Sequence, residues 1–155
     1  LRNVGSRVQS QPATAFSPVA VTLDELGDAW DNGCVHLTVQ VAWNGRKVGM
    51  CDAGTDMTYG FGQLVAHASK TRALRAGTVV SSGTVSNAGF EKNGKKEWPK
   101  GYSCIAEKRA METALDGKAK TEYLKFGDTV RIDAKGKDGQ SVFGAIEQEL
   151  APLNA

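Results

Sequence analysis

Glu107 is the residue whose surroundings most suggest chemistry. It ends the run Cys104-Ile105-Ala106-Glu107, otherwise small and apolar, so its carboxylate is placed to be partly desolvated. Partial loss of solvent suits a carboxyl group to proton transfer. An ordinary edge-strand glutamate is the plainer reading of the same residues. Asp52 and Asp56 could each offer oxygens to a hard cation, although helix capping by Thr55 or Asp56 explains that stretch more simply. His36 and His67 stand far apart with no His-Glu-x-x-His spacing, and both read as structural or surface histidines. Gly60-Phe61-Gly62 has neither the third glycine of a dinucleotide fingerprint nor a following Lys-Ser/Thr pair. It reads as a tight turn before a helix. Lys92, Lys95, Lys96 and Lys100 surround Trp98, but Glu91 and Glu97 lie among them. A solvated loop fits this pattern, with an active-site lid as the alternative.

The elements that must carry these residues are mostly strands. Residues 35–43 alternate, with Val35, Leu37, Val39, Val41 and Trp43 on one face, and Asn44-Gly45 then signals a tight hairpin into 47–50. Residues 61–74 repeat Phe61, Leu64, Val65 and Ala68 at helical spacing, with Gly77 beyond. Residues 125–133 and 141–149 form a second alternating pair around Asp138-Gly139. Short strands are expected at 19–22 and 78–82, a helical turn at 23–27, and a long polar loop at 87–101. The class expected is α+β, mainly β, with one main helix.

Composition narrows the function. The chain of 155 residues fits one domain, and 41% hydrophobic with 23% charged residues is ordinary for a globular protein. A net charge of +2 is too small to imply a nucleic-acid or membrane partner, and no apolar run approaches a membrane span. Cys34, Cys51 and Cys104 lack Cys-x-x-Cys spacing, which argues against a disulfide framework or a zinc site. With no apolar stretch near Leu1, the expectation is a cytoplasmic domain.

Several segments, in order, resemble one family. Residues 9–22 followed by Asp24-Glu25-Leu26 resemble the substrate-loop segment of bacterial fumarylacetoacetate hydrolase family proteins. Residues 76–87, including Gly83-Thr84-Val85-Ser86-Asn87, resemble their glycine-threonine turn, and residues 101–109 the segment with their catalytic glutamate. Residues 125–132 and 143–146 are similar to their closing strands. The expectation for 103–109 as a strand comes from this resemblance.

The resemblance implies a mixed β-sandwich roll, usually dimeric, with 1–155 as the C-terminal part of a single catalytic domain. It implies hydrolysis of a C–C bond in a diketone or acylpyruvate substrate of the fumarylacetoacetate or fumarylpyruvate type. Relatives that decarboxylate, hydrate or isomerise oxo-acids are an alternative, as is a non-catalytic binding or assembly domain. It further implies Mg²⁺ or Ca²⁺ held by an Asp and two Glu that polarise the substrate. Carried across by motif, Glu107 orients a water-activating histidine and Arg2 stabilises charge near the leaving carbanion. Thr14 and Thr84 bind substrate oxygens. Gln11 stands near where the family tends to place a lysine, and brings a donor without a positive charge. No metal ligand can be placed in this chain, so the carboxylates and the histidine are expected upstream of it. Residues 4–8 are compressed relative to the family pattern.

Overall fold

The computed structural model describes residues 13–153. At its centre is a four-stranded antiparallel sheet of order β4-β3-β7-β8, formed by β3 (Thr38–Trp43), β4 (Arg46–Asp52), β7 (Thr129–Lys135) and β8 (Ile146–Glu149). Two smaller hairpins flank it: β1 (Trp30–Asp31) with β2 (Cys34–Val35), and β5 (Phe90–Lys92) with β6 (Lys95–Glu97). The helices are α1 (Phe61–Ser69) and α2 (Ile105–Asp116). The fold is α+β and mainly β, as the sequence leads one to expect.

The β3–β4 hairpin forms where Asn44-Gly45 places it, with φ of 49° and 72° at the two residues. Both values are positive, the backbone that a two-residue turn of matching twist requires. The Asn44 amide also donates to Asp128 at 2.8 Å and accepts from the Thr129 N–H at 2.7 Å, which fastens the turn to the start of β7. In the register, Val41 faces Ile132 and Trp43 faces Val130. Period-2 alternation puts these side chains together on one apolar face. The pairs Gln40–Asp133 and Ala42–Arg131 fall on the other. There the buried Asp133 accepts from Ser141 Oγ at 2.5 Å and from Arg131 at 3.0 Å, so its charge is partnered.

The helix α2 is a correction to the strand expected over 103–109. Ala106, Glu107, Lys108, Arg109, Ala110 and Met111 are strong helix formers, and Gly117 ends the run in the left-handed region at φ 76°, its N–H bonded to Thr113 O at 3.0 Å. The helix expected over 61–74 stops at Ser69. There Lys70 N–H turns to His67 O at 3.3 Å, and the Ala66 carbonyl it would have bonded takes the Ser69 hydroxyl at 3.1 Å. Residues 19–22 and 78–82 are irregular instead of strands, and 23–26 form a turn leading into a 3₁₀ turn at Gly27–Ala29. The polar stretch 87–101 contains the β5–β6 hairpin, turned by Asn93-Gly94 with both φ positive.

The interior is small. Among the described residues the buried apolar side chains are Leu37, Val41 and Cys51. The accessible surface is 11644 Å², against roughly 7,500 Å² for a compact monomer of this mass.

Candidate active site around Glu107

The site is assembled on a contact between two backbones. Gly49 of β4 and Gly101 pair as an isolated antiparallel bridge. Tyr102 N–H bonds to Val48 O at 3.1 Å, and Met50 N–H bonds to Lys100 O at 2.7 Å. A Cβ at Gly49 would lie 2.8 Å from the Tyr102 carbonyl carbon, so side chains are excluded there. This joint sets the start of α2 against the sheet. Glu107 stands in the first turn of that helix, where the helix dipole favours negative charge.

The Glu107 carboxylate is held on one side only. Ser86 Oγ donates to Oε1, while Oε2 is buried and has no partner among the described residues. The Cys51 thiol lies nearby; burial pushes it up, and the Glu107 carboxylate adds to that. The thiol is therefore held neutral.

The segment carrying Ser86 is fastened at both ends. On one side Ser103 Oγ donates to Val85 O, tying it to the approach to α2. On the other the Asn87 side chain accepts from Asp52 N–H at 2.8 Å and donates to Asp52 O at 3.1 Å and to Asp56 Oδ2 at 2.9 Å. Asp56 also accepts from Ala88 N–H at 3.0 Å, and these two bonds, the backbone one first, hold its carboxyl below the usual range. Burial works against the charge on Asp52, but bonds from the Thr55 hydroxyl and the Thr55 and Gly54 N–H groups outweigh it. His36 stands 3.9 Å from Asp52, with Gly54 beneath its ring.

Thr84, Val85 and Ser86, consecutive in an irregular stretch, all line a cavity of about 330 Å³ with Asp56, Tyr59 and Leu64. A second, more apolar cavity of about 470 Å³ lies between the start of α2 and the Val41–Trp43–Val130–Ile132 face of the sheet. The chain therefore brings Thr84 and Glu107 together, through Ser86. Thr14 is exposed and makes no hydrogen bond to either of them. Its segment docks elsewhere, through Val19 N–H to Phe143 O at 3.0 Å and Pro18 against Gly144. Arg2 and Gln11 lie outside the described residues.

The family model for the C-terminal region of fumarylacetoacetate (FAA) hydrolase matches residues 5–151. The chain belongs to the fumarylacetoacetate hydrolase family. No curated protein compared with it matches. Members of the fumarylacetoacetate hydrolase family generally bind a divalent metal and take small-molecule substrates. The described residues do not by themselves fit such an ion: none of their His, Cys, Asp and Glu side chains gather in threes. Asp52 Oδ1 and Asp56 Oδ2 are already committed to backbone and side-chain donors. The helix capping expected of Thr55 or Asp56 does not occur, because the N-cap of α1 is Gly60; the two carboxylates brace loops instead. Among the described residues no helix is long and apolar enough to cross a membrane. His67 is exposed on α1, and the lysine-rich hairpin is exposed along both strands.

Sequence reasoning passed over Ser86 and Asn87, although both stand in the Gly-Thr-Val-Ser-Asn run. The available signal was proximity: both residues follow Thr84 within three positions of the same run.

Proposed function

We propose that this chain is the C-terminal part of a catalytic domain that hydrolyses a C–C bond in a diketone or acylpyruvate substrate. The observation that carries the reading is the buried Oε2 of Glu107, without a partner among the described residues, on a carboxylate whose other oxygen is held by Ser86 from the wall of a cavity, in a chain of the fumarylacetoacetate hydrolase family. A buried acceptor without a partner costs about 1–3 kcal/mol, more when charged, and a donor from outside the described residues would remove that cost. In the proposal this donor is the imidazole that activates water, oriented by Glu107. Thr84 hydrogen-bonds a substrate oxygen from the cavity wall, and Thr14 and Gln11 do so from the substrate loop. Arg2 stabilises the departing carbanion, which must then take up a proton. A Mg²⁺ or Ca²⁺ ion, if bound, supplies Lewis acidity from carboxylates outside the described residues.

A cytoplasmic homodimer fits the same reading.

The test is Glu107→Gln in the full-length protein, assayed on fumarylpyruvate and, in parallel, on oxaloacetate with Mg²⁺. Loss of about 10²–10⁴ in kcat on the first substrate is expected, the usual worth of acid–base assistance. Undiminished turnover by the variant refutes the role of Glu107. Activity confined to oxaloacetate would assign the chain to the decarboxylases instead.

A further inference from the structure

Glu107 has two oxygens, and only one of them is free to act. Oε1 receives the Ser86 hydroxyl, and Oε2 is buried without a partner among the described residues. A carboxylate on a glutamate side chain turns easily about its last torsion, so something must decide which oxygen faces the reacting group and in what plane. We propose that Ser86 is a positioning residue that fixes the Glu107 carboxylate and presents Oε2 to the reaction. The inference rests on the proposed function and deepens it.

Three observations support it beyond the hydrogen bond itself. The Ser86 backbone sits between two anchors, Ser103 Oγ on Val85 O and the Asn87 side chain on Asp52 and Asp56, so its hydroxyl is mounted on a braced segment. Such support from packing and outer hydrogen bonds is what keeps a functional group in place. Ser86 also shares the cavity wall with Thr84, so one short segment sets the substrate contact and the carboxylate orientation together. Finally, the Cys51 thiol beside Glu107 donates toward Lys100 O at 3.7 Å, which leaves Ser86 as the hydroxyl donor to the carboxylate.

The experiment compares Ser86→Ala, Ser86→Thr and Glu107→Gln in the full-length enzyme. Ser86→Ala is expected to lower kcat by about 10- to 100-fold, the scale of a small misplacement of a reacting group, with KM changed less than about twofold. Ser86→Thr keeps the hydroxyl and is expected to recover most of the loss. Isotope-edited infrared spectroscopy of the Glu107 carboxylate gives a readout independent of turnover. Its stretching band should move in the alanine variant and return in the threonine variant. Wild-type kcat in Ser86→Ala, an unmoved band, or equal losses in the alanine and threonine variants would each overturn the inference while leaving the role of Glu107 intact. Full activity of Glu107→Gln would instead remove the reading beneath it. Should Ser86→Ala not fold, Ser86→Cys, a weak donor of similar size, carries the same comparison.

Discussion

Replacing Gly49 with alanine tests whether the start of α2 is set by main-chain contact. The backbone at Gly49 is not in the left-handed region, so alanine carries no conformational penalty of that kind, and only the close approach is perturbed. The added methyl would meet the Tyr102 backbone, including its carbonyl carbon at 2.8 Å and its nitrogen at 3.3 Å. Backbone atoms cannot rotate away as a side chain tip can, so the 101–103 segment must lift from β4. The bonds Tyr102 N–H to Val48 O and Met50 N–H to Lys100 O are the ones at risk. At about 1 kcal/mol net for each, the loss is roughly 2 kcal/mol. For a domain of this size that corresponds to about 4–8 °C in Tm. Thermal unfolding of the full-length protein supplies the first measurement, and hydrogen exchange at the Met50 and Tyr102 amides the second. An unchanged Tm with both amides still protected would refute the argument. A fall in Tm with both amides still protected would show that the strain goes elsewhere.

Two further outcomes follow from the side-chain geometry. Hydrogen bonds from the Thr121 hydroxyl and N–H, opposed by desolvation and joined by the Lys120 N–H and Lys108, lower the Glu112 carboxyl to about 2. Because this folded value lies below the ordinary glutamate value of 4.5, the stabilisation is present above that pH and is lost as pH falls toward 2. Carbon-detected NMR titration should find Glu112 still ionised near pH 3, and Thr121→Val should move its midpoint upward; a midpoint near 4.5 in the unmodified protein contradicts the geometry. Asn87→Ala removes three side-chain bonds to Asp52 and Asp56. It should cost roughly 2–3 kcal/mol at about 1 kcal/mol per bond, read by urea unfolding, and a change below about 0.5 kcal/mol would show that the clamp is dispensable.

What the sequence made legible followed from strictly local signals. Asn44-Gly45 between alternating runs specified a turn that tolerates few other residues, and the β3–β4 hairpin formed there. The same signal at Asn93-Gly94 was hidden by the surrounding charge, because lysines and glutamates on an exposed hairpin show no apolar alternation. The helix at 105–116 was legible in Ala, Glu, Lys and Met and in the Gly117 stop, but family resemblance pointed to a strand, and propensity was the better guide. Within the candidate site, Glu107 was visible from its apolar neighbours. Ser86 was not, because its importance lies in a contact across 21 positions, which no local pattern encodes. The cavity that joins Thr84 to Ser86 depends on how Asn87 ties a loop to the end of β4, and that too is long-range.

The meeting of Gly49 and Gly101 also separates two properties of the molecule. The start of α2 is seated by peptide groups, whereas the sheet side of the hollow under it is walled by Val41, Trp43, Val130 and Ile132. Those four side chains can be enlarged or trimmed to change what the hollow admits without touching the backbone joint that seats the helix. The shape of the hollow and the seating of the helix are thus adjustable on separate dials, which makes the sheet face a favourable place to redesign this scaffold.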